Sequence, residues 1–196
     1  MSRKENYTLI LLAGGKSSRM GENKAKLLYK GKTFTRNLLE KAETLGIEHV
    51  LISGFEEEGF TTVWDIYSQR GPLGGIHACM KQMKTPFCLV LPVDVPQIPV
   101  GILEDLIHFH ETKVESKTLP VLLKHDDRRE NLIGIYPVEV MEFIENRIKE
   151  HSASVHGMLD DWGNVCFETS VDSWKVENIN RKEDYEKLIL SSCEEN

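Results

Sequence analysis

Apolar positions in this chain follow two rhythms that alternate along its length. Residues 7–13 and 87–91 form short, nearly unbroken apolar runs, the signature of strands buried on both faces. Between them, Phe34, Leu38, Leu39 and Ala42 recur at helical spacing within 33–45, and Gly46 closes that segment. A second strand is expected at 48–53 and a short third one at 61–64, followed by a helix over 72–83 opened by Pro72. A helix over 101–111 presents Ile102, Leu103, Leu106 and Ile107 on one face. Further on, strands at 119–123 and 132–136 flank a charged loop, His125-Asp126-Asp127-Arg128-Arg129-Glu130. Helices at 137–149, 154–161 and 181–191 and a strand at 165–168 complete the pattern.

Strands that alternate with helices predict an α/β fold. The expected architecture is three layers, α/β/α, around a mostly parallel, Rossmann-like central sheet with helices on both faces. Ligands of such sheets bind beyond the carboxyl ends of the strands. The glycine-rich segment after residue 13, Asp65 and Asp94 all fall at predicted strand ends.

At 196 residues, 40% hydrophobic and 28% charged, the chain fits one globular domain with a real core. No apolar stretch reaches the roughly 20 residues of a membrane span. The polar start, Met1 to Asn6, lacks a cleavable signal pattern, so the expected setting is cytoplasmic. Cys79, Cys88, Cys166 and Cys193 form no C-x-x-C pair, which favours reduced thiols. The net charge of −7 is unevenly spread: residues 1–41 hold 10 Lys/Arg against 3 Asp/Glu, the remainder 14 against 28. Basic charge gathers around the glycines while the bulk repels nucleic acid, which points to a small anionic ligand.

The chemistry concentrates in Leu11-Leu12-Ala13-Gly14-Gly15-Lys16-Ser17-Ser18-Arg19-Met20-Gly21-Glu22-Asn23-Lys24. Glycines let backbone N–H groups approach phosphate oxygens, and Arg19 and Lys24 supply a planar fork and a point charge. The spacing fits neither a Walker A loop nor a dinucleotide fingerprint. Asp94, between Pro92 and Pro96, suits a magnesium ion that takes one or two carboxylates plus phosphate oxygens and water. Its other use is as a turn residue bonding its own backbone. Gly71-Pro72-Leu73-Gly74-Gly75 opens a helix, where backbone lies bare and negative charge is favoured. The histidines His77, His108, His110, His125, His151 and His156 show no metal-ligand spacing.

Three of these motifs, L-A-G-G-x-S-x-R-M-G-x-x-K (12–24), G-P-L-G-G (71–75) and P-V-D-V-P (92–96), resemble in this order the motifs of a nucleotidyltransferase family, in particular the molybdenum cofactor guanylyltransferases. The resemblance implies a fold of nucleotide-diphospho-sugar transferase type, with residues 1–100 binding nucleotide and residues 101–196 binding the acceptor. It implies transfer of GMP from GTP to molybdenum-bound molybdopterin with release of pyrophosphate, Mg²⁺ as cofactor, and proteins that deliver or receive the cofactor as partners. Arg19, Lys24 and Asp94 would be catalytic, and Asp94 would hold the metal. Leu12, Ala13, Gly14, Gly15, Lys24, Ser53, Asp65, Gly71, Gly74, Gly75 and Asp94 would contact the nucleotide. Asn178 and Asn180 would face the acceptor, or cap the last helix. The chain departs from the family at Ser53 and Asn23, often Asn and Asp, and at Glu130-Asn131 and His151-Ser152-Ala153-Ser154, where the family carries His-Pro and an arginine pair. Cytidylyl transfer to the same cofactor, transfer to a sugar phosphate, and nucleotide binding without catalysis stay open.

Overall fold

Successive residues of the first strand feed opposite layers. Leu9 and Leu11 pack into one hydrophobic cluster, Ile10 and Leu12 into another, as a strand buried on both faces requires. The computed structural model describes residues 3–14 and 23–194. After a helical turn, α1 (Arg3–Asn6), the chain forms β1 (Tyr7–Leu12), a 3₁₀ turn (Lys24–Lys26), the hairpin β2 (Leu28–Tyr29) and β3 (Lys32–Thr33), α2 (Phe34–Thr44), β4 (His49–Ser53) and β5 (Thr61–Val63). Then come α3 (Gly71–Met80), β6 (Phe87–Pro92), α4 (Val100–Lys113), β7 (Val121–His125), β8 (Arg128–Pro137), α5 (Val140–Lys149), α6 (Val155–Trp162), β9 (Val165–Glu168), a second 3₁₀ turn (Ser173–Lys175) and α7 (Lys182–Glu194).

The main sheet has seven strands in the order β5-β4-β1-β6-β8-β7-β9. β5, β4, β1 and β6 pair in parallel, β8 runs against both neighbours, and β9 pairs parallel to β7. Six strands therefore point one way. One cluster gathers Phe34, Leu38 and Leu39 of α2, Leu103, Leu106 and Ile107 of α4, and Leu188 of α7. The other gathers Leu73 and Ile76 of α3, Val140 and Ile144 of α5, and Met158 and Leu159 of α6. This is the expected α/β/α sandwich with its mostly parallel sheet.

Local chemistry sets the element ends. Thr33 caps α2 by accepting from the Arg36 N–H, and burial of Phe34, Leu38 and Leu39 contributes about 1.5–3 kcal/mol per side chain. From β1 the chain crosses to β4 on one side, and α3 later returns it to β6 on the other. The carboxyl ends of β1 and β6 thus flank the point where strand order reverses, the place such sheets use for ligands.

Two expectations need correction. The charged loop 125–130 shrinks to the two-residue turn Asp126-Asp127, with φ of 44° and 61°, while Arg128 to Glu130 continue β8. Aspartate tolerates the left-handed region, and a hydrogen-bonded contact of 3.1 Å between the buried His125 and Glu130 favours strand pairing up to the turn. The β2–β3 hairpin was also not expected: its strands are two residues long, and Lys30-Gly31 (φ 50° and 78°) supplies the turn. Among the described residues no helix is long and apolar enough to cross a membrane, and Cys79, Cys88 and Cys166 are free thiols.

Candidate active site

Hydrogen bonds between neighbouring strand ends hold the carboxyl edge of the sheet closed. Ala13 N–H donates to Ser53 O (3.0 Å), Gly54 N–H to Val63 O (3.0 Å) and Val93 N–H to Leu12 O (2.9 Å). Above this floor opens a cleft of ≈ 1010 Å³. The end of β1 contributes Leu12, Ala13 and Gly14, the end of β4 Ser53 and Gly54, and the segment after β5 Trp64 and Asp65. Gly71 and Gly75 of α3 complete one wall; Lys24, Asp94, Leu132 and Asn178 form the other end. A second cleft of ≈ 780 Å³, between the β2–β3 turn and α7, is lined mainly by apolar side chains such as Leu28, Tyr185 and Leu190 and lies away from the strand ends.

The floor is bare backbone because side chains would not fit. A Cβ on Gly54 would lie 2.6 Å from the Gly14 Cα, so the loops after β1 and β4 touch through glycine alone. A Cβ on Gly75 would fall 2.4 Å from the Ser53 Oγ and 3.3 Å from the Leu12 side chain. Gly74 packs under Asp65, whose Oδ2 lies 3.1 Å from where a Cβ would stand. Asp65 is exposed at the mouth, and partial desolvation by its surroundings raises its carboxyl pKa.

Lys24 is gripped from two sides. Its Nζ donates to Asp94 Oδ2 (2.9 Å) and to Asn180 Oδ1 (2.7 Å). An ammonium has three N–H donors, so one is left for a further acceptor. Asn23 caps the short turn that carries Lys24 by accepting from the Ala25 N–H at 3.0 Å. An aspartate would accept the same bond, so this departure from the family keeps the turn. Thr35 Oγ1 donates to Ala25 O (3.0 Å) and anchors the turn to α2.

Asp94 follows β6 and joins both ends of the chain. Its carbonyl accepts from Ile179 N–H (2.8 Å), while its Oδ1 is buried and has no hydrogen-bond partner among the described residues. The Asn178 Oδ1, also at the cleft, is buried and likewise without a partner among the described residues. Buried oxygens without partners cost free energy unless something fills them. Nearby, the buried Gln97 straps the 174–177 segment by donating to Trp174 O (3.0 Å) and Glu177 O (2.7 Å). Capping of α7 falls to Asp184, which accepts from the Asn180 and Arg181 N–H groups. Asn178 and Asn180 thus face the cleft and Lys24.

The loop from Asp65 to Arg70 is pinned from outside the cleft. Tyr67 OH donates to Glu145 Oε1 (3.1 Å), and Lys81 and Lys149 each lie 3.0 Å from the same carboxylate. Hydrogen bonds from Lys81, Lys149 and Tyr67 hold the Glu145 pKa down to about 2.

Of the residues expected from sequence, Leu12, Ala13, Gly14, Lys24, Ser53, Asp65, Gly71, Gly75, Asp94 and Asn178 share the cleft. Asn180 joins through Lys24, and Gly74 lies beneath Asp65. Gly15 and Arg19 fall outside the described residues. Sequence reasoning missed Trp64, Leu132 and the Gln97 strap; a tryptophan beside a strand-end aspartate was the available signal for the first. Among the described residues no cluster of three or more His, Cys, Asp or Glu could cage a metal. A hard cation that takes one carboxylate plus ligand phosphates fits the free Asp94 Oδ1, with the Asn178 oxygen beside the cleft as a second donor.

The family described as the MobA-like NTP transferase domain matches residues 9–161. A probable molybdenum cofactor guanylyltransferase of Flavobacterium johnsoniae is 29% identical over 165 residues, 79% of this chain and 81% of the relative. A molybdenum cofactor guanylyltransferase of Xanthomonas euvesicatoria is 26% identical over 96% of this chain and 97% of the relative. The solved structure of molybdopterin-guanine dinucleotide biosynthesis protein A from Archaeoglobus fulgidus superposes with a TM-score of 0.78 at 21% identity, covering 96% of this chain and 100% of that one. The fold is thereby of nucleotide-diphospho-sugar transferase type.

Proposed function

The chain belongs to the MobA-like NTP transferase family, and from that premise we propose that it is a guanylyltransferase acting on the molybdenum cofactor. GTP and molybdenum-bound molybdopterin are the substrates; the guanine dinucleotide form of the cofactor and pyrophosphate are the products. The relatives named for that activity cover most of the chain and support the reading. The observation that carries it is Lys24, held between Asp94 and Asn180 above a floor of glycine backbone at the end of β1.

An oxygen of the acceptor's terminal phosphate attacks the α-phosphorus of GTP, the bond to the β-phosphate oxygen breaks, and pyrophosphate leaves with the electron pair. The nucleophile is already anionic, so no strong general base is needed. Catalysis is positioning and charge neutralisation. Lys24 spends two N–H groups on Asp94 and Asn180 and offers the third to a phosphate oxygen at the reacting centre. Arg19, five residues before Lys24 in sequence, holds the triphosphate tail. Backbone groups of Leu12 to Gly15, with Ser53, Asp65, Gly71, Gly74 and Gly75, seat the nucleoside. Asp94 would hold Mg²⁺ through its Oδ1, and the bound ion supplies neutralisation of phosphate charge.

We read the chain as one domain in which residues 1–100 bind nucleotide and 101–196 the acceptor, with Asn178 and Asn180 on the acceptor side. The setting is cytoplasmic, with exchange of the cofactor between delivering and accepting proteins. The test is pyrophosphate release from purified protein with molybdenum-bound molybdopterin and GTP, CTP or ATP. Lys24→Ala and Asp94→Asn should each lose about 10²–10³ in turnover while circular dichroism stays unchanged. Wild-type turnover in either variant, or preference for CTP, would overturn the assignment it touches.

A further inference from the structure

Trp64 is at odds with ordinary tryptophan behaviour. It is 60% exposed, although it directly follows the buried Val63 and lines the cleft. Among the described residues it has no ring contact, no cation against its face and no hydrogen bond to its indole N–H, whereas Trp162 donates to Thr118 O and Trp174 carries Lys175 over its ring. A large aromatic surface left uncovered at the mouth of a cleft is a binding surface awaiting a flat partner.

Its place in the sheet says which partner. In the order β5-β4-β1-β6, Trp64 stands beyond β5 and Asp94 beyond β6, three strand spacings or about 14 Å apart. The cation Lys24 stands at the β6 end, held by Asp94 and the Asn180 amide, while Asp65 is the acidic neighbour of Trp64 at the β5 end. The acceptor-side residues Leu132 and Asn178 are at that end as well. Between the ends lie the side-chain-free Gly14, Gly54 and Gly75. A molecule with its phosphates at Lys24 and its sugar over the glycines brings its base to the indole. We propose that Trp64 is an aromatic platform that stacks on the guanine base of the nucleotide. This rests on the reading of the cleft as a nucleoside triphosphate site.

Stacking acts on the base and leaves the phosphates alone, so the experiment pairs GTP with inorganic tripolyphosphate. Both are titrated by calorimetry and intrinsic fluorescence, in the presence of Mg²⁺, against wild type, Trp64→Ala, Trp64→Phe and Lys24→Ala. Trp64→Ala should weaken GTP by about 5- to 150-fold and leave tripolyphosphate within about twofold. Trp64→Phe should keep most of the GTP affinity and lose the fluorescence quenching that GTP produces in wild type. Since the side chain is largely exposed, melting temperatures should agree among the Trp64 variants. GTP affinity unchanged in Trp64→Ala, an equal loss for tripolyphosphate, or full quenching in Trp64→Phe would overturn the platform. If Lys24→Ala weakens GTP while Trp64→Ala does not, only the platform falls. If wild type binds no nucleoside triphosphate, the nucleotide reading falls and the platform with it.

Discussion

Replacing Gly54 by alanine tests whether the cleft floor depends on contact between two glycines. Gly54 has φ of +74°, and Gly59, in the same β4–β5 connection, has φ of +85°. An L-residue in that left-handed region costs roughly 1–2 kcal/mol. At Gly59 that is the whole expected effect, since nothing lies within 4 Å of an added Cβ. At Gly54 the Cβ would also meet backbone, 2.6 Å from Gly14 Cα and 3.2 Å from Gly14 N. Backbone cannot rotate away as a side-chain end does, so an overpacking cost of about 1–3 kcal/mol is added. Urea unfolding followed by circular dichroism should therefore place Gly54→Ala below Gly59→Ala by that added amount. With a slope of about 2 kcal/mol per molar, the midpoints separate by about 0.5–1.5 M. GTP binding should fall further in Gly54→Ala as well, because the displaced Gly14 lines the cleft. Coincident midpoints, or wild-type GTP affinity in Gly54→Ala alone, would refute the claim that these loops are locked by that contact.

Burial, and then the neighbouring Lys117, push the His110 pKa from 6.5 down to about 4. The unfolded chain takes up a proton below about 6.5 that the folded one refuses, so this stability is present above 6.5 and is lost as pH falls through 4. The shift sets a ceiling of about 3 kcal/mol, and unfolding at pH 7, 5 and 4 should show a shallower decline in His110→Phe than in wild type. An unchanged decline would exclude His110 as its source. Tyr67→Phe removes the bond to Glu145 and should raise KM for GTP with little change in kcat; a fall in kcat with KM unchanged would place Tyr67 in the chemistry instead. Gln97→Leu leaves the Trp174 and Glu177 carbonyls without their donor and should cost about 2–4 kcal/mol by thermal unfolding. A loss below 0.5 kcal/mol would show that the strap contributes nothing to stability.

The sandwich was legible because its apolar runs carry the period. Tyr7 to Leu12 could be read as a doubly buried strand from content alone, and Thr33 and Gly46 bracket α2 in sequence as in structure. The hairpin Leu28 to Thr33 escaped because two-residue strands are too short to show alternation. In 125–130, charge suggested a loop, yet His125 Nε2 meets the Glu130 carboxylate inside the pairing and only two aspartates turn. Lys24 and Asp94 could be named from motifs, since each depends on local chain direction at a strand end. The Gln97 strap and the Lys24–Asn180 bond could not be derived from spacing, because they span 77–80 and 156 residues. Trp64 escaped for a related reason: exposure is a property of the folded surface that no run of letters encodes.

The bond from Lys24 to Asn180 has a temporal meaning. A ribosome translating this message releases the glycine-rich segment early, within the stretch 9–161 that matches the family. Asn180, the second of the two partners that hold Lys24, is synthesised only after that, together with Trp174 and Glu177, which Gln97 fastens. Nascent polypeptide arrested near Trp162 thus owns the recognisable segment without a finished grip on the ammonium. The full grip on this ammonium therefore forms only once Asn180 has left the ribosome.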